Sequence, residues 1–216
     1  MKKYLFSTLF LALFTVGCSD ETSEEKGGEN QEKEVVKNCM YSYNAAKTEL
    51  DWTAYKFIRK AGVGGTFMNI EVDGGDANPD AQTLIESLSF SIPISSIETN
   101  DESRNKKIQE FFFGNLATPE LISGKVAELK GDSLAVLEIT MNEITKNVEG
   151  KYTLEDNVFT YATEINVLDW NAKQGLDALN KECEGLHTDV ENGDTESKLW
   201  PDVTISFKTT LDKSCD

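Results

Sequence analysis

The feature that most constrains the fold of this chain is a repeated alternation of apolar and polar side chains with a period of two. The first long example is residues 50–57, where Leu50, Trp52 and Ala54 alternate with polar neighbours. Successive side chains of a strand point to opposite faces of a sheet, so the pattern predicts strands that bury one face. The same alternation recurs at residues 66–72, 84–94, 121–129, 134–142, 148–154, 158–167 and 203–211.

Turn residues separate these segments. Gly, Asn and Asp tolerate positive φ, and they predict turns at residues 130–132 and 155–157. The glycine-rich residues 61–65 predict a tight turn after the first long strand. A short segment at residues 40–44 leads into that strand. When this segment is counted with the first long strand, the total is about eight. Eight strands can close into a barrel, so the sequence predicts an all-β, eight-stranded antiparallel β-barrel.

Two short helices interrupt the strands. Thr99 and Glu102 have the spacing of a capping box, which predicts a helix that begins there and reaches Phe113. A second helix is expected to begin near Asn171. Its apolar face consists of Ala172, Leu176, Leu179 and Cys183. We expect both helices to cover one end of the barrel.

The N-terminus has the pattern of an export signal. Lys2 and Lys3 precede an apolar run at residues 4–16, which is shorter than the about 20 residues of a membrane span. Gly17 and Cys18 end this run, as in the signal peptides of bacterial lipoproteins. We therefore expect residues 1–17 to be removed and Cys18 to carry acyl chains that anchor the protein in a membrane.

Residues 18–34 are predicted to be a flexible tether, because residues 19–34 contain no apolar side chain and include seven acidic residues. Residues 35–216 then form the single barrel domain. The acidic residues that directly follow Cys18 resemble an export signal of outer-membrane lipoproteins. The expected location is the outer membrane, on either its periplasmic or its surface face.

Three cysteines remain if Cys18 is acylated, and a disulfide persists in an exported compartment. Cys39 precedes the first strand and Cys215 follows the last, and those strands would be neighbours in a closed barrel. The first candidate disulfide is therefore Cys39 with Cys215. The alternative is Cys39 with Cys183, and the sequence leaves both pairings open.

Two linked groups of residues resemble a known family. In the first group, Trp52 and Lys56 lie on one strand and are followed by residues 63–67. The second group is Ser96-Ile97-Glu98-Thr99-Asn100, Arg104, Phe111-Phe112 and Pro119. Together they resemble the YceI-like family of lipocalin-like, eight-stranded barrels that bind polyisoprenoid chains. The similarity spans roughly residues 40–212, and Asn105 stands where the family usually has Asp.

The resemblance implies that the barrel interior or its mouth binds an isoprenoid lipid, such as a polyprenyl chain or a quinone tail. The candidate lipid-binding residues are Trp52, Phe67, Phe90, Phe111, Phe112, Phe113 and Trp170. A polar headgroup would lie near Arg104 or Lys107. Aromatic side chains also fill barrel cores on their own, so each candidate has a core interpretation as well.

The three consecutive phenylalanines are a special case. They cannot all point inward from one helical turn, so at least one is expected to face the barrel interior or its mouth.

Composition and motifs favour binding over catalysis. The chain has 38 acidic and 21 basic residues, and its net charge of −17 argues against nucleic acid as a partner. His187 is the only histidine, and the sequence lacks a nucleophile elbow, a phosphate loop and a zinc helix. Cys183 lies four residues before His187, but without a second histidine we expect no metal there.

The sequence therefore predicts non-catalytic binding, carriage or storage of an isoprenoid lipid, with no cofactor other than that lipid. The alternative is a cell-surface module whose filled barrel binds a protein or a glycan. The oligomeric state is undecided, and a homodimer is left open.

Overall fold

A computed structural model describes residues 38–216 of the chain. The signal peptide, the acylated Cys18 and the tether predicted from the sequence lie outside the described residues. The described part contains twelve strands and three α-helices. The strands are β1 Cys39–Ser42, β2 Thr48–Lys56, β3 Ala61–Phe67, β4 Glu71–Asp73, β5 Ser89–Pro93, β6 Ile97–Glu98, β7 Leu121–Lys130, β8 Leu134–Met141, β9 Ile144–Glu155, β10 Val158–Asn166, β11 Leu199–Thr210 and β12 Asp212–Cys215. The helices are α1 Ala81–Glu86, α2 Glu102–Lys107 and α3 Lys173–Glu182.

Ten of the strands form one antiparallel sheet in the order β4-β5-β7-β8-β9-β10-β11-β2-β3-β6. The sheet curls into a lipocalin-like barrel, which confirms the predicted all-β fold class. The predicted number of eight strands was wrong. β4 and β6 have only three and two residues, and so short a stretch cannot display an alternating pattern.

The two ends of the domain meet in a separate ribbon. β1 and β12 pair antiparallel, and Cys39 lies opposite Cys215 in their register. The two cysteines form a disulfide across a sequence separation of 176 residues. The other candidate partner, Cys183, is free and buried at the end of α3. The disulfide therefore ties the first described strand of the domain to the last.

The glycine-rich residues 61–65 do not form the turn that the sequence predicted. They lie in β3, and the turn falls at residues 57–60, where Phe57 and Lys60 have positive φ. Gly65 pairs with Trp52 on β2, and a Cβ at this position would lie 2.3 Å from the indole ring. The glycine is needed because the ring covers it, and it does not serve a turn.

The predicted strand at residues 84–94 was wrong in its first part, because helix α1 ends at Glu86. The Asp80 side chain accepts a hydrogen bond from the Thr83 amide at 2.7 Å and caps this helix. Leu84 and Ile85 are fully buried in a core cluster with Phe159 and Tyr161. Two consecutive apolar residues fit a strand and a buried helix face equally well, which explains the misassignment.

Helix α2 begins two residues later than the capping box predicted. Asp101 caps it by accepting a hydrogen bond from the Arg104 amide at 3.0 Å. The Thr99 hydroxyl donates to the Asn105 side-chain oxygen at 2.6 Å, and both residues are buried. Asn105 also donates to Glu98 at 3.2 Å. The residue that departs from the family pattern thus holds α2 against β6.

Helices α2 and α3 cover one end of the barrel, as predicted. α2 continues into a π-helical turn, Ile108–Phe112, and a 3₁₀ turn, Phe113–Asn115. α3 packs closely on this segment, since a Cβ on Gly175 would lie 2.3 Å from the Phe112 carbonyl oxygen. Among residues 38–216, no helix has the length and apolar composition that a membrane crossing requires.

The disulfide is expected to supply a large part of the stability of the domain. Replacing Cys39 and Cys215 together by Ser should lower the free energy of unfolding by about 3–5 kcal/mol, because the link closes a very long loop in the unfolded chain. Denaturant unfolding measures the loss. A reductant should bring the wild-type midpoint down to that of the double variant and leave the double variant unchanged. Equal midpoints without reductant would contradict this account.

The contact between Gly65 and Trp52 gives a second prediction. Gly65→Ala should lower the free energy of unfolding by about 1–3 kcal/mol, because the added methyl group overlaps the indole ring. Gly64→Ala is the matched control, since its methyl group would meet only the Trp52 carbonyl oxygen at 3.7 Å. Urea unfolding followed by tryptophan fluorescence tests the pair. Equal destabilisation by the two substitutions would show that the ring position is not the reason for Gly65.

Candidate functional site: a segmented apolar interior with a cationic mouth

The barrel interior contains a cavity of about 140 Å³, called here the inner cavity. A single water site needs about 10–15 Å³ on this scale, so the cavity is large enough for a segment of hydrocarbon chain. Its wall is apolar and comes from strands on all sides of the barrel. Wall residues include Leu50, Phe90, Val126, Leu137, Phe159 and Phe207.

A second apolar cavity of about 150 Å³ lies under the helices and is called here the helix-side cavity. Phe112, Phe113, Leu176 and Leu179 cover it from the helical segments. It shares wall residues with the inner cavity, namely Trp52, Phe67, Ile122, Met141, Ile165 and Ile205. The two apolar spaces are therefore adjacent and have part of their walls in common.

A third cavity of about 210 Å³, called here the mouth, is partly open, and charged side chains contribute to a wall that is otherwise largely apolar. Three cations contribute to its wall: Lys56 from β2, and Arg104 and Lys107 from α2. Asp101 is the one carboxylate in this wall within the described part of the chain. The mouth shares Trp52, Ala54, Ile108, Leu179 and Leu199 with the helix-side cavity.

Residues on one face of β2 line all three spaces. Leu50 lines the inner cavity, Trp52 lines all three, Ala54 lines the helix-side cavity and the mouth, and Lys56 lines the mouth. These residues alternate along the strand, so the strand geometry places them on one face. The distance from Leu50 to Lys56 is about 20 Å at the rise of a strand. β2 thus provides a path along the three spaces that is apolar at the Leu50 end and cationic at the Lys56 end.

Buried polar groups within the apolar part are few, and most are satisfied. The Trp170 indole donates to the Ile139 carbonyl at 3.2 Å, and the Tyr161 hydroxyl donates to the Val148 carbonyl at the same distance. Burial raises the pKa of Tyr161 to about 12. The hydroxyl of Tyr43, beside the inner cavity, is the one buried side-chain polar atom without a partner among the described residues. The apolar end therefore carries no charge at neutral pH.

The mouth has a different electrostatic character. The Lys56 ammonium donates to the Leu186 carbonyl at 2.8 Å. Burial lowers the pKa of Lys56, and the Arg104 guanidinium lowers it further. Burial also lowers the pKa of His187 to about 4, with smaller contributions from Lys56 and Lys107. His187 is consequently neutral at physiological pH, and the positive charge of the mouth comes from the lysines and the arginine.

The structure brings most of the predicted site residues to these three spaces. Trp52, Phe67, Phe90 and Trp170 line the inner cavity, Phe112 and Phe113 line the helix-side cavity, and Arg104 and Lys107 line the mouth. Phe111 is the exception, because it lines none of them; its carbonyl accepts a hydrogen bond from the Asn115 side chain at 2.8 Å. Phe112 and Phe113 are also buried core residues that touch each other edge to face.

Sequence reasoning missed Lys56, Ile205 and Phe207 as wall residues. Ile205 and Phe207 alternate with the exposed Ser206 on β11, and Lys56 follows Leu50, Trp52 and Ala54 in phase. The period of two that predicted the strands would have identified all three.

Metal and catalytic constellations are not evident within residues 38–216. No group of three or more His, Cys, Asp or Glu side chains is placed to hold a metal ion there. Burial raises the pKa of the Cys183 thiol, which opposes the formation of a reactive thiolate. His187 faces Asn180, whose side-chain oxygen lies 2.9 Å from Nδ1. Asn180 in turn donates to Ser197, so this cluster holds α3 to the loop before β11.

Comparison with solved structures supports the fold. A polyisoprenoid binding domain from Saccharophagus degradans, implicated in plant cell wall breakdown, superposes with a TM-score of 0.56 at 12% identity, covering 81% of this chain and 98% of that one. BcnA from Burkholderia cenocepacia superposes with a TM-score of 0.55 at 15% identity, covering 80% of this chain and 99% of that one. Identities this low establish similarity of fold alone.

The two sequence comparisons give different results. A search of curated proteins finds no match to the chain. A family model described as the YceI-like domain matches residues 41–211, which is most of the chain and nearly all of the described domain. The protein therefore belongs to the YceI-like family.

Proposed function

We propose that this domain binds a long isoprenoid lipid, with the hydrocarbon tail in the inner and helix-side cavities. The observation that carries the proposal is the path along β2, on which Leu50, Trp52 and Ala54 line successive apolar spaces. A lipid tail offers no hydrogen bonds, and it matches a wall that presents few polar groups. The structural relative from Saccharophagus degradans is itself a polyisoprenoid binding domain, which agrees with this choice of ligand.

Burial of the tail would supply the affinity. Each methylene group removed from water contributes about 0.8 kcal/mol, less the cost of ordering a flexible chain. The two apolar cavities are small for drug-like ligands, which occupy about 300–1,000 Å³. A thin, methyl-branched chain that bends past Trp52 and Phe67 suits such a segmented space better than a broad rigid molecule.

We further propose that the acyl chains expected on Cys18 hold this domain close to the membrane that contains its lipid. The tether would then let the domain approach the bilayer, load or release the tail, and carry or store it. Binding is sufficient for this function, and no catalytic step is included in the proposal.

Native mass spectrometry of the protein purified from the cells that produce it tests the ligand directly. We expect an adduct that organic solvent extracts and that fragments as an isoprenoid lipid. A bare protein mass under several mild purification conditions would contradict the proposal. That outcome would favour the alternative, in which a filled barrel serves as a module that binds a protein or a glycan.

A substitution that fills the path tests the location of the ligand. Ile205 lines both apolar cavities, so Ile205→Trp should place its ring in the space of the tail and reduce lipid uptake at least about tenfold. Ser206→Trp is the matched control, because Ser206 is exposed and faces the other side of β11. Equilibrium binding of a radiolabelled prenyl lipid measures both variants. Equal uptake by Ile205→Trp and wild type would place the ligand outside these cavities.

A further inference from the structure

Exposed apolar side chains collect beside the mouth. Ile58, Leu186 and Val190 are 51%, 60% and 74% exposed, and they belong to the turn after β2 and to the loop after α3. Leu186 also lines the mouth. We call residues 56–60, 186–194 and 198–200 the rim patch. Singly exposed apolar side chains are common, but three that collect at one opening indicate a contact surface.

Hydrogen bonds join the turn and the loop of the rim patch. The backbone amides of Ile58 and Asp189 both donate to the Asp194 carboxylate, at 3.2 and 3.1 Å. The Arg59 guanidinium donates to the Asp189 carboxylate at 2.8 Å. Ile58 and Val190 are therefore presented by segments that support each other.

Aromatic rings and cations accompany the exposed apolar residues. The Lys56 ammonium lies 4.5 Å from the centre of the Phe57 ring. The Lys198 ammonium lies 4.8 Å from the centre of the Trp200 ring. The Trp200 indole donates to the Phe57 carbonyl at 2.7 Å and links these two parts of the rim patch. Aromatic rings with cations beside them are typical of residues at the interface between a lipid bilayer and water.

The rim patch lacks the negative charge of the rest of the chain. Its segments contain four basic and three acidic residues, which with a neutral His187 give a net charge of +1, whereas the whole chain has −17. Lys60 also pairs with Asp202 at 3.0 Å and with Glu164 at 3.9 Å, just beyond the rim patch. The acidic excess therefore lies outside the rim patch. Of the faces of this protein, one without net negative charge meets the least repulsion from lipid phosphates.

The position of the rim patch favours a bilayer over a protein partner. Lys56 and Leu186 belong to both the rim patch and the mouth, and the mouth shares wall residues with the helix-side cavity. A tail that passes between a bilayer and the barrel avoids water only if the bilayer covers the entrance. The expected anchor permits this contact, because residues 18–37 would span up to about 70 Å if fully extended. The twelve-residue strand β11 is only about 40 Å long.

We propose that the rim patch docks on the surface of a phospholipid bilayer, with Ile58, Leu186 and Val190 inserted among the headgroups, so that the mouth faces the lipid. The inference rests on the proposed function, because it names the surface through which the barrel receives and returns its tail. Insertion of the apolar side chains supplies the attraction, and the cations of the rim patch approach the lipid phosphates.

Vesicle flotation tests the docking. The full chain with Cys18→Ser, which cannot be acylated at that position, is mixed with vesicles of phosphatidylethanolamine and phosphatidylglycerol. We expect Ile58→Glu and Val190→Glu each to weaken partition onto the vesicles at least about tenfold, because a carboxylate replaces an inserted apolar side chain. Met68→Glu is the matched control, because Met68 is 73% exposed but follows β3 at the end remote from the turn. It should partition like the unsubstituted chain.

The rate of lipid transfer gives a second readout. Uptake of radiolabelled geranylgeraniol from the same vesicles should slow in Ile58→Glu and Val190→Glu in proportion to the loss of partition. The amount bound at equilibrium should be unchanged, because neither residue lines a cavity. Unchanged equilibrium binding also shows that both variants are folded.

Other results would overturn different statements. Equal partition of all the chains, or partition of none, would refute docking by the rim patch, and the proposed function would stand if geranylgeraniol still binds. Failure of geranylgeraniol to bind, with flotation as expected, would refute the proposed function and support the rim patch as a membrane contact. A dimer that forms without vesicles and that Ile58→Glu dissociates in sedimentation equilibrium would assign the rim patch to a second copy of the chain.

Discussion

A curled antiparallel sheet buries one side chain in every two, and the space that it encloses must be filled by those side chains or by something else. In this domain the filling is incomplete. Trp52, Phe67 and Phe90 line the interior, and cavities of about 140 and 150 Å³ remain unfilled. An unfilled apolar space loses dispersion contacts, so it weakens the fold unless a ligand restores them. The proposed lipid follows from this constraint.

The long strands could be predicted because each displays its alternation over many residues. β7 to β11 extend the alternation seen in the sequence, and the turns at Gly131 and at Asp156–Asn157 have the positive φ that their residue types indicate. The alternation of apolar and polar residues could not predict the very short strands or α1. Three or two residues show no period, and the pair Leu84 and Ile85 is compatible with either a helix or a strand. The family resemblance therefore predicted the barrel more reliably than it predicted the number of strands.

The candidate site shows a different limit. The sequence identified aromatic residues that line the interior, but it could not tell a ring that fills the core from one that borders a cavity, since both are apolar and in phase. Phe112 and Phe113 are core residues that also line the helix-side cavity, whereas Phe111 is neither a buried core residue nor part of a cavity wall. Glycine was misread for a related reason. Gly65 permits the close approach of Trp52, which lies thirteen residues earlier in the chain, and a local turn rule has no knowledge of that partner.

Lys56 shows that the side chains on one face of a strand can change from apolar to charged while the strand geometry stays the same. It continues the inward phase of Leu50, Trp52 and Ala54, yet it lies where the strand leaves the apolar interior and the helices begin. Burial in the mouth lowers the pKa of Lys56, and the neighbouring Arg104 lowers it further. An anion beside Lys56 would stabilise the charged form and would also offset its repulsion by Arg104. The same strand thus borders apolar space along most of its length and charged side chains at its end.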